Sequence, residues 1–523
     1  MKFLCCLTIF CLSLTACGSS SPVVDEPDEM VGRPAGATTA DEELPLQYGA
    51  LWYHMEPREE TLAIRMRLLN PPERTTFFFP GPWAGHGDFD HQIILGHASG
   101  PDGPLPMAVD RGAGRIDVES GSIQWIELSY RIRTRENRSE SHRFHPWKNQ
   151  RAFFAYAPTI LILPSAGLAE QLRDIPVELH IPAGWKVAGT WPLKTLLDRE
   201  DDFEIAGFVV HDVRGLRDAF IGAGGDWTQT RQVLEHGELN ITLAGEFQFD
   251  QAPFLEAAAT IVDHYLQRFG IYDEITGVLL PTEDQSTDVL RGMGRLGGFI
   301  LELPVEQQLD DNLLLLLAHE AFHSWNGHQL VPDPESDGST RWFKEGVTHY
   351  IALKTLGRLG IVDRRTIRKE LATAAQFYQR NPIISGRPVQ PVDRARLPYD
   401  RGFLIALALD LTLLNYSNGA LAIEDWIVTL LSDPFVEESR AYDHGLLRSG
   451  FRHLTADLGP GPIRRYESLI HSDEIFDIPE IFRELGLHYL DSKDGRPARA
   501  LPIDDAESFE ILFTPPSNPG LSP

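Results

Sequence analysis

His319-Glu320-Ala321-Phe322-His323 sets two histidines four residues apart, with a carboxylate beside the first. On a helix, positions i and i+4 share one face, so both imidazoles can reach the same metal ion. Glu320 is then placed to accept a proton from a water held there. A catalytic zinc takes three protein ligands and keeps a fourth position open. Glu345, within Trp342-Phe-Lys-Glu-Gly-Val-Thr-His-Tyr350, can supply the third. These residue types imply metal-assisted hydrolysis with one zinc per chain, and a peptide bond is the first substrate to consider. An H-E-x-x-H string arises by chance in a chain of this size with a probability on the order of 0.03–0.05. Chance strings rarely end an apolar helix.

The surrounding segments read as the elements that must hold these groups. Five consecutive leucines, Leu313 to Leu317, follow Asp310-Asp311-Asn312 and lead into the motif. A helix apolar on every side is a buried helix. Upstream, Leu255, Ala258, Val262, Leu266 and Phe269 recur at helical spacing, with Gly270 as a C-terminal cap. A short strand, Gly277 to Leu280, precedes the glycine-rich run from Arg291 to Gly298, and an apolar strand from Phe299 to Leu303 comes directly before the motif helix. From about 340 to 490 the pattern is mostly helical, including Gly402 to Leu414 and Ile423 to Leu431.

The first half of the chain has a different period. Ile126, Leu128, Tyr130 and Ile132 alternate with polar residues; so do Val177, Leu179 and Ile181, and again Leu239, Ile241 and Leu243. Alternation with frequent Pro and Gly punctuation predicts antiparallel strands. His86, His91 and His97 lie in this half, and their spacing fits no standard metal template.

The chain has 523 residues and a formal net charge of −28, which disfavours nucleic acid and anionic membrane surfaces as partners. Met1-Lys2-Phe3, an apolar run and Leu14-Thr15-Ala16-Cys17 read as a secretory signal ending in a bacterial lipobox, with Cys17 the lipidated residue. The expected address is the bacterial cell envelope on the periplasmic side, with membrane attachment through that lipid. All four cysteines lie in the first 17 residues, so the remainder offers no thiolate ligand, thiol nucleophile or disulfide. No Gly-x-Ser-x-Gly elbow supports a serine hydrolase.

At His319-Glu-Ala-Phe-His-Ser-Trp-Asn326 and Trp342-Phe-Lys-Glu-Gly-Val-Thr-His-Tyr350 the chain resembles the glycyl aminopeptidase family of zinc metallopeptidases. These are gluzincins with a thermolysin-like catalytic domain behind an N-terminal β domain. Leu397-Pro398-Tyr399-Asp400-Arg401-Gly402 is similar to a segment whose tyrosine supports the reaction intermediate in gluzincin aminopeptidases. The resemblance implies His319, His323 and Glu345 as ligands, Glu320 as base and Tyr399 as oxyanion donor. Close relatives carry an acid suited to a substrate amine ahead of the motif helix; here Gly292-Met-Gly-Arg-Leu-Gly-Gly298 has none. Arg291, Arg295, Gly297 and Gly298 are the expected substrate contacts in that segment. The arginines would favour a carboxylate or acidic side chain, and the glycine-rich strand could pair with an extended peptide.

The expected fold is α+β: an antiparallel β domain, then a mostly helical thermolysin-like domain. The expected divisions are a signal at 1–17, a disordered tether at 18–44, the β domain at 45–250, the catalytic domain at 251–490 and a loose Pro-rich tail at 491–523. Two other functions compete: a non-catalytic lipoprotein scaffold, and a zinc hydrolase acting on something other than a peptide. Retention of Glu320 opposes the scaffold, because metal binding alone does not need it.

Overall fold

The computed structural model describes residues 50–515 apart from 84–86, 88, 137–142, 199–201, 283–289, 387–388, 433–440, 472–475, 492–496 and 504–506. The expected signal, the tether, Cys17 and His86 lie outside the described residues. No helix among those described is long and apolar enough to cross a membrane.

The first half is a β domain built on an eight-stranded sheet. Its central strands, in spatial order, are Phe203–Asp212, Arg173–Pro182, Leu51–Pro57, Thr61–Leu69 and Trp125–Arg133. Alternation works as the sequence predicts: Leu62, Ile64, Met66 and Leu68 are buried while Arg65 between them is exposed. Leu51–Pro57 runs parallel to Arg173–Pro182, so the sheet is not antiparallel throughout. Two four-stranded sheets complete the domain.

A separate sheet of five strands underlies the second half. Its order is Thr228–Val233, Glu238–Leu243, Glu274–Pro281, Gly298–Leu303 and Arg291–Arg295, the last forming an edge. The inner pairings are parallel and the outer two antiparallel. The strands around Leu239 and Ile241, expected in the β domain before residue 250, therefore belong to this sheet. Period two identifies a strand but does not say which sheet it joins.

Helices cover this sheet. Gln251–Phe269 and the motif helix Asp311–Phe322 pack on it, Thr348–Arg358 packs against the motif helix, and Pro391–Ser417 packs against Thr348–Arg358 and the turn Trp342–Val347. Phe154, Tyr156, Val278, Leu280 and Ile300 share one apolar cluster that joins the two halves. The C-terminal residues are more ordered than expected. Arg499–Pro502 pairs with Leu487–Leu490, and Glu507–Phe513 is a helix with Phe509, Leu512 and Phe513 buried against Thr348–Arg358. Three large apolar side chains at helical spacing outweigh the prolines around them.

Candidate metal and catalytic site

The motif helix begins at Asp310, whose carboxylate accepts the Leu313 N–H at 2.9 Å. Leu313 to Ala318 are all buried, so the helix is fixed on every side before it presents His319, Glu320 and His323. Its C-terminal end is tied down by side chains. Tyr265 hydroxyl donates to the Ala318 carbonyl at 3.1 Å, Tyr272 hydroxyl to Ser324 at 2.8 Å, and Trp325 Nε1–H to Gly270 at 2.9 Å.

His323 Nδ1–H donates to the Asn326 carbonyl at 2.8 Å, leaving Nε2 unprotonated and turned towards His319. The two Nε2 atoms are 3.1 Å apart. Glu345 Oε2 stands 3.4 Å from His323 Nε2 and 3.8 Å from His319 Nε2. Tetrahedral zinc with bonds near 2.0–2.2 Å needs ligand atoms about 3.3–3.6 Å apart, within a few tenths of an ångström of the three separations here. All three side chains are buried, so the donor set fits that ion.

Glu345 projects from a π-helical turn, Trp342–Val347, which runs into the helix Thr348–Arg358. Such turns widen a helix by one residue and recur at functional sites. Burial pushes the Glu345 carboxyl up, but the neighbouring His319 and His323 imidazoles, helped by Lys344, hold it well below the carboxylate range. Asn326 joins the two motifs. Its Nδ2 donates to the Phe343 carbonyl at 2.9 Å and to Thr348 Oγ1 at 3.1 Å. Asn326 and Thr348 stand in the two motif strings, where residue type and spacing alone assign them no role.

Glu320 lies beside the ligands, buried, and burial raises its carboxyl to about 7 against the pull of His319. One wall of its niche is the edge strand Arg291–Arg295. A β-carbon on Gly292 would lie 2.2 Å from Glu320 Cγ, and one on Gly294 would lie 2.2 Å from His323 Cβ. Only glycine lets this strand approach so closely.

Of the expected substrate contacts, Gly297 and Gly298 shape the hairpin turn. Gly297 adopts φ +72°, and a β-carbon on Gly298 would meet the Thr276 carbonyl at 2.5 Å. The glycines at the site are Gly292 and Gly294, which period two places on the opposite strand face from the arginines. Arg295 is buried, 3.5 Å from Asp218 Oδ1 and over the Trp83 ring at 4.4 Å. Its charge is matched within the protein. Asp218 also binds His328, and that contact holds its carboxyl at about 2 despite burial. Arg291 lies opposite Glu302, a buried acid bonded to Arg143 at 2.8 Å and to Tyr156 at 3.3 Å.

Tyr399 stacks near His319, with ring centroids 6.2 Å apart. The helix carrying it starts at Pro391, so Tyr399 is inside the helix and not ahead of it. Pro398 is accommodated there. His349 packs against His319 from another side at 5.5 Å.

A β domain, a mixed sheet and a buried His-His-Glu centre form an architecture that could hold a metal ion beside an acid. Residues 312–397 match the M61 glycyl aminopeptidase family, the same family that the two motifs resemble. No curated protein sequence matches the chain. Among solved structures, the chain is similar to an aminopeptidase N family protein from Idiomarina loihiensis, with a TM-score of 0.67 and 19% identity over 84% of this chain and 79% of that one. It is also similar to an M1 zinc metallopeptidase from Deinococcus radiodurans, solved as a glutamate-to-alanine mutant bound to a Tyr-Ser-Ala substrate. There the TM-score is 0.55 and identity 16%, over 82% of this chain and 95% of that one. These likenesses establish the α+β fold, and with the family match they support a zinc peptidase.

Proposed function

We propose that this protein is a zinc-dependent peptidase that hydrolyses peptide bonds with Glu320 as general base. The convergence of His319, His323 and Glu345, with Glu320 buried alongside, carries the proposal. Zinc bound there supplies a Lewis acid that polarises a carbonyl and acidifies a water. Glu320, held near neutrality, takes a proton from the attacking water and returns it to the leaving amine. Tyr399 hydroxyl donates to the carbonyl oxygen as negative charge develops, worth about 2–4 kcal/mol on the scale of an oxyanion-hole donor. The edge strand Arg291–Arg295 borders the site, where an extended peptide could lie alongside it.

The test is Glu320→Gln, which keeps volume but cannot take a proton. Zinc content should stay while turnover falls by roughly 10²–10⁴. Undiminished cleavage by this variant would remove Glu320 from the mechanism. We further propose attachment to the cell envelope through lipid on Cys17; Cys17→Ser should release the protein from membranes.

A further inference from the structure

We propose that His54, Glu178 and His180 form a second site for a divalent transition metal, of the zinc type, on the β domain. His54 lies directly opposite Glu178 in the parallel pairing of Leu51–Pro57 with Arg173–Pro182. Glu178 and His180 are two residues apart on one strand and so share its face. Their neighbours Tyr53, Met55, Val177 and Leu179 point the other way, into the β-domain core. One ligand atom from each of the three residues lies within 4.8 Å of the others. The His54 and His180 rings meet edge-on at 4.1 Å.

The acid needs more than the histidine offers. Glu178 is 3% exposed, yet among the described residues its carboxylate has one hydrogen-bond partner, His54 Nδ1, at 3.4 Å. A buried carboxylate with one long bond is poorly compensated for its lost hydration. Arg65, opposite His54 on the next strand, lies over Trp52 at 6.0 Å and makes no ion pair with Glu178. Two imidazoles and a carboxylate are ordinary zinc ligands, with a fourth position for water. The ion would tie two strands whose ligands lie 124 residues apart in sequence, at the middle of the eight-stranded sheet. Its role would be structural, and it does not depend on the peptidase reading.

The test uses the full chain and zinc alone. With His319 and His323 both changed to Ala, the protein should retain one equivalent of zinc after dialysis, and zinc should raise its melting temperature. Adding Glu178→Gln should abolish both effects. His54→Gln in the same background provides a second variant should the first fold poorly. A double-alanine protein that holds no zinc overturns the proposal, as does a retained equivalent that neither further change removes.

Discussion

Gly346 and Gly402 touch across two helices: a β-carbon on Gly402 would stand 2.1 Å from the Trp342 carbonyl oxygen and 2.9 Å from Gly346 Cα. One follows Glu345 in the π-helical turn, and the other lies three residues after Tyr399. The contact therefore sets the distance between the third ligand and the tyrosine. It also explains why the Glu-Gly and Tyr-Asp-Arg-Gly strings each contain glycine where they do.

Gly402→Ala must push these helices apart. We expect a loss of about 1–3 kcal/mol in stability, the usual scale of overpacking, and weaker zinc retention. Gly338→Ala, where a β-carbon meets nothing within 4 Å, serves as the control. Thermal unfolding with zinc analysis reads both; equal behaviour of the two variants would deny the contact this role.

Asn326→Ala removes the bond between the motif helix and the Glu345 turn while sparing every ligand. By analogy with other partners of ligand-bearing groups, zinc affinity should fall roughly 10–100-fold. Competition with a chelator measures it. Thr348→Val removes one of these links and should have the smaller effect.

The sequence made the chemistry more legible than its surroundings. His319, Glu320, His323 and Glu345 could be chosen because metal chemistry restricts both residue type and spacing. The motif helix and the hairpin before it were legible from apolar runs and glycine. The partner of Arg295 is not legible, because a charge in a motif segment says nothing of what it meets, and Asp218 comes from 77 residues earlier. The sequence does not single out Gly292 and Gly294 from Gly297 and Gly298, since which face of a strand meets a helix is decided by tertiary packing. Pro398 hid the start of its helix in the same way.

Lys354 is fully buried, with Nζ 2.6 Å from Asp410 and 2.7 Å from Glu424. Asp410 also accepts from Tyr350 hydroxyl at 2.7 Å. The network joins the helix that follows Glu345 and the helix that carries Tyr399 to Ile423–Leu431. Lys354→Met leaves two acids buried without their cation, so a loss of about 3–5 kcal/mol is expected. Denaturant unfolding checks it, and Asp410→Asn added to that variant should restore part of the loss.

Stability should also depend on pH through His328 and Asp218. Burial holds His328 at about 4, below its ordinary 6.5, and Asp218 lies at about 2, below 3.8. In both cases the unfolded chain binds protons before the folded one, so stability rises with pH. The His328 contribution is complete above 6.5 and is lost as pH falls towards 4; the Asp218 contribution is lost between 3.8 and 2. Denaturant midpoints from pH 7 to 4 should fall less steeply in His328→Asn than in the wild type. Parallel curves would show that His328 does not carry the dependence.

The last prediction concerns the substrate's N-terminus. Removal of N-terminal residues requires recognition of an ammonium group, and in a partly dry site that needs a free acid. The edge strand Arg291–Arg295 provides none, and its glycines face the motif helix too closely for any side chain. Glu302, the acid on the neighbouring strand, already holds Arg143 and Tyr156. Asp218 is similarly engaged by Arg295 and His328. Free and N-acetylated forms of one peptide should therefore be cut with kcat/KM values within about tenfold, a difference of 1.4 kcal/mol. Cleavage confined to free N-termini would mean that an acid elsewhere in the chain holds the amine. In that event Glu302→Gln is the informative variant, because losing the preference would show that Glu302 exchanges Arg143 for the substrate.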